Sequence, residues 1–264
     1  MGRSLTVQRR NEIAAELMRE GTVKAAELSE RYHVSTETIR KDIIYLEEQG
    51  LAQKSYGGAI AVRDLIEQPI AVKEVTNKEE KAEIALAAAT LIPKNCTLLI
   101  DGGSTTYALA SQLTTRDDLT VFTNSVNIMQ LLGSSGNKVF GLGGVLRPSS
   151  LCMVGDWAVS QLNGLKVNLA FLGTDSFGTA QGPVSASYEE MQLKRTITER
   201  AERTYVLADY TKFGPANLFQ VCAWEAVEAV ITNANAWEVY ESELNRIKER
   251  TKILNCTEVL RENR

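Results

Sequence analysis

The 264-residue chain holds a single histidine, His33, and four cysteines scattered along it, Cys96, Cys152, Cys222 and Cys256. With no Cys-x-x-Cys pair and no companion histidines, no structural metal is expected. Nothing after residue 33 can assemble a Ser-His-Asp or Cys-His site. Prolines number only 5, and 44% of residues are hydrophobic against 23% charged, which excludes a disordered low-complexity chain. No apolar run approaches the roughly 18 residues that a membrane span needs, and no basic-then-apolar leader opens the chain. A cytoplasmic protein with reduced thiols and no membrane partner is expected. The net charge of −4 argues against a surface that wraps nucleic acid throughout, but leaves a local basic patch open.

What is present falls into two parts of an α/β chain. In residues 1–62 a helix fits Thr6 to Glu20, with Val7, Ile13, Ala14 and Leu17 at helical spacing and Gly21 as a stop. A second helix fits Lys24 to Arg31, and Ser35 is a suitable N-cap for a third, in which Ile39, Ile43 and Leu46 share a face. Three helices with a short turn between the last two make a helix-turn-helix. On the other side of the third helix stand Glu37, Thr38 and Lys41. Ser35, Thr36 and Thr38 offer hydroxyls to bases or phosphates, while Arg40 and Lys41 offer the charge that phosphate neutralisation requires. After Gly50, two short strands around Tyr56-Gly57-Gly58 form a hairpin wing, where Lys54, Tyr56 and Gly57 can approach a DNA backbone. A generic three-helix bundle with a solvated charged face is the plainer reading of the same periodicity.

Residues 63–76, with Pro69 and no clean period, read as a linker. From residue 77 helices and strands alternate: helix Lys78 to Leu91, strand Thr97 to Asp101, helix Thr105 to Leu113, strand Leu119 to Thr123, helix Val126 to Leu132 and strand Lys138 to Leu142. Helix Gly155 to Leu162, strand Val167 to Leu172, helix Tyr188 to Ala201 and strands Thr204 to Ala208 and Ala229 to Thr232 follow. Trp237 to Leu260 reads as a helix and a last short strand. This predicts βαβ units in a mostly parallel, Rossmann-like sheet over residues 77–264, with ligands outside the carboxyl ends of its strands.

Polar loops stand at those ends. Asp101-Gly102-Gly103-Ser104-Thr105-Thr106 opens a helix directly after a strand, a phosphate cradle of backbone N–H groups and hydroxyls. Thr123-Asn124-Ser125 can bind hydroxyl groups, although a plain N-cap explains it equally. Gly143-Gly144 and Arg147 follow the next strand, and Gly173-Thr174-Asp175 adds a carboxylate. Asp209-Tyr210-Thr211-Lys212-Phe213-Gly214 places an ammonium suited to a dianion, with a solvated surface lysine as the alternative. No P-loop or complete G-x-G-x-x-G is present, so no nucleotide cofactor is expected. Glu189 and Glu190 sit where helix capping explains them.

Val34-Ser35-Thr36-Glu37-Thr38-Ile39-Arg40-Lys41-Asp42, with Leu46, Gly50 and Tyr56-Gly57-Gly58-Ala59, resembles the winged helix-turn-helix of the DeoR family of bacterial transcriptional regulators. It departs at Lys41, where a second arginine is usual, at Ile43 and at Tyr56, where a histidine is common. The order Asp-Gly-Gly-Ser-Thr-Thr, Thr-Asn-Ser, Gly-Gly, Gly-Thr-Asp, Asp-Tyr-Thr-Lys-Phe-Gly resembles the sensor domain of the same family, so that the likeness spans Leu5 to Asn233. That domain is similar in fold to ribose-5-phosphate isomerases and glucosamine-6-phosphate deaminases. The resemblance implies a DNA-binding repressor of a carbohydrate-metabolism operon, controlled by a phosphorylated sugar and acting as a homo-oligomer. It implies that Ser104, Thr105, Thr106 and Lys212 hold the phosphate, with Asp101, Asn124 and Asp175 near the sugar and Gly102, Gly103, Ser125 and Gly144 completing the effector site. The alternative is a sugar-phosphate isomerase or deaminase with an accessory module, in which Asp101 and Asp175 act as bases.

Overall fold

The computed structural model of the protein describes residues 2–48, 51–61, 69–177, 181–214 and 219–262. Gly50, Val62 and the 63–68 part of the expected linker lie outside them. The chain divides near residue 67 into two compact units.

The first unit runs α1 (Gly2–Glu20), β1 (Thr22–Lys24), α2 (Ala25–Tyr32), α3 (Thr36–Glu48), β2 (Ala52–Ser55) and β3 (Gly58–Ala61). Ile13, Ala14 and Leu17 of α1, Leu28 of α2 and Ile39, Ile43 and Leu46 of α3 are buried together, as their spacing predicts. The wing has a third strand. Lys24, expected to start the second helix, ends β1, whose residues pair antiparallel with Gly58–Ile60 in a sheet ordered β1-β3-β2. A three-residue strand has no legible period and exists only through its partner. At Gly58 an added Cβ would lie 1.9 Å from the Val23 carbonyl oxygen, so the strands can approach only because glycine is there.

The second unit begins with α4 (Ile70–Val75), a helix inside the stretch read as linker, and continues with α5 (Lys78–Thr90), β4 (Thr97–Ile100), α6 (Ser104–Gln112), β5 (Thr120–Thr123), α7 (Val126–Leu132) and β6 (Lys138–Gly141). An antiparallel hairpin that the sequence did not announce, β7 (Val145–Arg147) and β8 (Cys152–Val154), comes next. Then follow α8 (Asp156–Ser160), β9 (Val167–Gly173), β10 (Val184–Ser185), α9 (Tyr188–Arg200), β11 (Ala201–Leu207), β12 (Phe219–Gln220) and β13 (Ala229–Thr232). The stretch expected as one helix and a final strand is α10 (Asn235–Val239), α11 (Glu241–Lys248), β14 (Lys252–Asn255) and α12 (Cys256–Glu262). The expected helix is interrupted at Tyr240, whose φ of −129° and ψ of 38° leave the helical region. Lys252–Asn255 pairs with β13 in parallel, and α12 rather than a strand is the last described element.

The main sheet is parallel throughout and ordered β14-β13-β11-β9-β4-β5-β6. Both faces are covered, so its central strands are apolar without alternation: Leu98, Leu99, Ile100, Leu169, Ala170, Phe171 and Leu172 are all buried. α5, α6 and α12 pack on one face around Ile84, Ala88, Leu109 and Val259. The chain builds outward from β4 through β5 to β6, then returns to the other side of β4 with β9. The strand order therefore reverses between β4 and β9, the crevice where open α/β sheets bind ligands.

Candidate DNA interface and effector site

Two constellations bear on function, one in each unit. In the first, Ser35 caps α3: the Thr38 N–H donates to its Oγ at 3.1 Å, and the Ser35 and Thr38 hydroxyls are hydrogen-bonded at 2.9 Å. These two hydroxyls are therefore partly engaged in holding the first turn. Thr36, Glu37, Arg40 and Lys41 are exposed on one side of the helix, with Arg40 3.8 Å from Glu37. An ion pair so exposed is weak and gives way readily to a phosphate.

The inward side carries a residue that sequence reasoning did not single out. Asp42, 1% exposed, accepts from Arg9 Nε at 2.7 Å and from Arg10 Nε at 2.8 Å, and the Arg10 guanidinium lies 4.1 Å from the centre of the Tyr45 ring. Two cations satisfy one buried carboxylate and fix the rotation of α3 against α1. At the wing tip Tyr56 is fully exposed and Gly57 has φ +85°. Lys54 is exposed, 3.6 Å from Glu47.

In the second unit the residues after β4 are held by their neighbours. Asn124 is buried, and its side chain accepts from the Gly102 N–H at 3.1 Å and donates to the Met153 carbonyl at 3.2 Å. It braces the loop instead of facing a ligand, contrary to its expected place beside a sugar. Ser125 caps α7, accepting from the Ile128 N–H, so the N-cap alternative holds for it. The Thr106 hydroxyl, expected on a phosphate, is buried and donates to the Gly103 carbonyl at 3.0 Å. Gly144, at φ +154°, is demanded by packing: a Cβ there would lie 2.6 Å from the Val154 oxygen. Gly102 likewise leaves room for Cys152, whose Sγ would lie 1.9 Å from an added Cβ.

Gly103, also at φ +154°, precedes α6 with no side-chain cap. Among the described residues no partner is found for the Ser104 and Thr105 hydroxyls, nor for the backbone N–H groups of residues 103 to 106. This turn therefore presents the donors and the positive dipole end of a nine-residue helix.

Beneath it lies a charge cluster built around Lys194 of α9, which the sequence reading missed. Lys194 donates to Asp101 Oδ2 and, at 2.9 Å, to the Gly173 carbonyl, while the Gly173 N–H returns a bond to Asp101 at 3.2 Å. The three groups tie β4 to β9 at the point where the sheet order reverses. Burial alone would lower the Lys194 pKa, but the carboxylates of Asp101, Glu190 and Asp175 reverse this and hold it above the ordinary lysine value. Burial pushes the Asp101 carboxyl up, and the Lys194 ammonium pulls it back. Glu190, which helix capping seemed to explain, is instead buried and lies 3.4 Å from Arg147 of β7.

Further along the same edge Asp175 accepts from Lys73 Nζ at 2.9 Å and from Ser185 Oγ at 3.3 Å. Asp209, 1% exposed, caps the turn at 210–213 and lies 4.0 Å from Lys81. Burial lowers the Lys81 pKa; Asp209 opposes this, while Lys212 and Lys73 reinforce it. Lys212 is half-buried, and among the described residues no carboxylate lies within 4.0 Å of its ammonium. Arg147, Lys194, Lys73, Lys81 and Lys212 thus face Asp101, Glu190, Asp175 and Asp209, which leaves the edge one positive charge in excess.

Among the described residues no group of His, Cys, Asp and Glu could hold a metal ion, and no helix is long and apolar enough to cross a membrane.

Residues 9–64 match a family model described as a DeoR-like helix-turn-helix domain, and residues 76–234 match one described as a DeoR C terminal sensor domain. The chain is 30% identical to the glycerol-3-phosphate regulon repressor of Escherichia coli (strain K12), over 86% of this chain and 90% of that protein. It is also 30% identical to the HTH-type transcriptional regulator GolR of Listeria innocua, over 86% and 90%, and 26% identical to the HTH-type transcriptional regulator IolR of Bacillus subtilis (strain 168), over 87% and 92%. Among solved structures, ribose 5-phosphate isomerase A from Methanocaldococcus jannaschii is similar over 53% of this chain and 56% of that one, with 17% identity and a TM-score of 0.40.

Proposed function

Since the chain belongs to the DeoR family of DNA-binding transcriptional regulators, we propose that it represses a carbohydrate-metabolism operon and that a phosphorylated sugar, seated at the carboxyl ends of β4, β9 and β11, sets its hold on DNA. The exposed side of α3, with Thr36, Arg40 and Lys41, enters the major groove. Ser35 and Thr38 present their shared hydroxyls at its first turn, and Lys54, Tyr56 and Gly57 of the wing meet the backbone. Lys41 acts as a point charge on phosphate, since it lacks the fork of an arginine. Helix-turn-helix proteins read paired half-sites as symmetric assemblies, so the working form is a homo-oligomer.

The observation that carries the effector reading is the first turn of α6. Its N–H groups and the hydroxyls of Ser104 and Thr105 are without partners in a crevice bearing one excess positive charge, to which Lys212 contributes. A dianionic phosphate satisfies all of these at once. Asp175, at the rim, is placed to accept sugar hydroxyls. Asp101 is a poor base: it is buried against Lys194 and fixed by the Gly173 N–H, an arrangement that holds two strands together and leaves it remote from any substrate carbon. The glycerol-3-phosphate regulon repressor among the relatives supports a phosphorylated small molecule as effector.

Thermal unfolding of the full chain tests this. A ligand bound only by the native state at a hundred times its Kd adds about 2.7 kcal/mol. Glycerol 3-phosphate, ribose 5-phosphate and glucosamine 6-phosphate are compared with glycerol, ribose and glucosamine. A rise in melting temperature confined to a phosphorylated compound is the expected result; equal rises with and without phosphate refute the α6 assignment.

A further inference from the structure

We propose that α4 carries the state of the effector site toward the linker, and that the Lys73–Asp175 ion pair is its latch: a ligand hydroxyl that takes up the Asp175 carboxylate frees Lys73 and, with it, α4. The inference rests on the effector position argued above.

α4 has six residues, fewer than two turns, and such a helix has almost no stability of its own. Its position depends on what holds it. Its first N–H, that of Ile70, donates to the Ser149 carbonyl at 2.8 Å. Lys73 reaches Asp175 at 2.9 Å, with the two side chains 19% and 14% exposed. Glu74 accepts from Asn127 at 3.0 Å, and Lys81 of α5 donates to the carbonyls of Lys73 and Thr76.

Two of these ties lead to the rim. Asp175 stands on it directly. Ser149 lies on the β7–β8 hairpin and accepts from Arg147, which pairs with Glu190, one of the carboxylates around Lys194. In chain order α4 is the first described element after the residues that lead from the DNA-binding unit, so a change in its hold acts at the base of that connection. Reciprocity follows: a ligand that must break the pair binds more tightly when the pair is absent.

Amide hydrogen exchange on the full chain, with Lys73→Met and Lys73→Arg, tests the latch. Without added ligand, Lys73→Met is expected to speed exchange at residues 70–76 about tenfold and to leave β4 and β9 unchanged, while Lys73→Arg stays near wild type. With glycerol 3-phosphate, ribose 5-phosphate or glucosamine 6-phosphate, the compound that raises the melting temperature of the wild type should also speed exchange at 70–76. It should bind Lys73→Met several-fold more tightly. Unchanged exchange in ligand-free Lys73→Met overturns the latch whether or not any compound binds. Equal or weaker binding by that variant, or a bound compound that leaves residues 70–76 of the wild type unaffected, overturns the coupling while the effector assignment stands. If no phosphorylated compound binds the wild type, it is the effector assignment that fails, and the ligand-free comparison still decides whether the pair holds α4.

Discussion

Replacing Lys194 by methionine keeps the length of the side chain and removes the one cation around which Asp101 and Glu190 are buried. Asp101 is 3% exposed and Glu190 is 8%. Breaking a buried pair from one side costs about 3–5 kcal/mol, because the remaining charge is left uncompensated. For a unit of this size about 1 kcal/mol corresponds to roughly 3 °C, so the sensor transition should fall by about 10–15 °C in calorimetry. The double variant Lys194→Met with Asp101→Asn removes charge from both sides and should recover more than half of that loss. The pH dependence carries a sign. Lys194 has a native pKa above its unfolded value, so its contribution is present at every pH below 10.5 and is lost only in strong alkali. In the single variant Asp101 has lost the ammonium that pulled its pKa down, and burial alone pushes it up. Protonating it then removes the penalty, so the gap between variant and wild type should narrow between pH 7.5 and 5. A fall of less than about 3 °C, or a double variant no more stable than the single one, would refute the view that this cluster holds β4 to β9.

Arg40→Ala should weaken binding to a DNA fragment selected by the protein from random sequence, and should lower the slope of log affinity against log salt by about one, with the melting temperature unchanged. Gel-shift titration over a salt series reads both. Lys212→Ala combined with Thr105→Val should abolish the phosphate-dependent thermal shift and keep DNA binding; a retained shift would move the phosphate elsewhere. Gly102→Ala places a Cβ 1.9 Å from Cys152 Sγ and should destabilise the protein by about 1–3 kcal/mol, with Cys152→Ala restoring part of this in the same denaturation assay. Because burial lowers the Lys81 pKa, a nearby phosphate favours its protonated form. Calorimetric titration should therefore show proton uptake with affinity falling above pH 8, and pH-independent affinity would exclude Lys81 from the field of the site.

How far these features can be read from sequence depends on the range of the interactions that fix them. Ile39, Ile43 and Leu46 lie within two helical turns, so the periodicity of the third helix gives its buried side and, by difference, its exposed one. The alternation of helices and strands gives a parallel sheet because both of its faces must be covered. Strand order is a long-range property, and the reversal at β4 emerges only when β9, some seventy residues later, pairs with it. Lys194 illustrates the limit for the site. In the polar run Glu-Glu-Met-Gln-Leu-Lys-Arg it looks like one more solvated charge, and its partner Asp101 lies 93 residues away. Asp42, beside Arg40 and Lys41, hides in the same way, with its arginines 32 and 33 positions earlier. Polar loops at strand ends were visible because Gly, Ser, Thr and Asp cluster locally. Which of their hydroxyls are already consumed by the backbone, as with Thr106 and Asn124, depends on neighbours that no local pattern contains.

The clamp of Arg9 and Arg10 on Asp42 bears on how this regulator could be retargeted. Since that knot and the buried residues Ile39, Ile43 and Leu46 fix the roll of α3 from within, the exposed positions Thr36, Glu37, Arg40 and Lys41 form a separable alphabet. A combinatorial library confined to these four should yield folded proteins with new operator preferences. The same diversity spread onto Asp42 would scatter the angle at which every other letter is read.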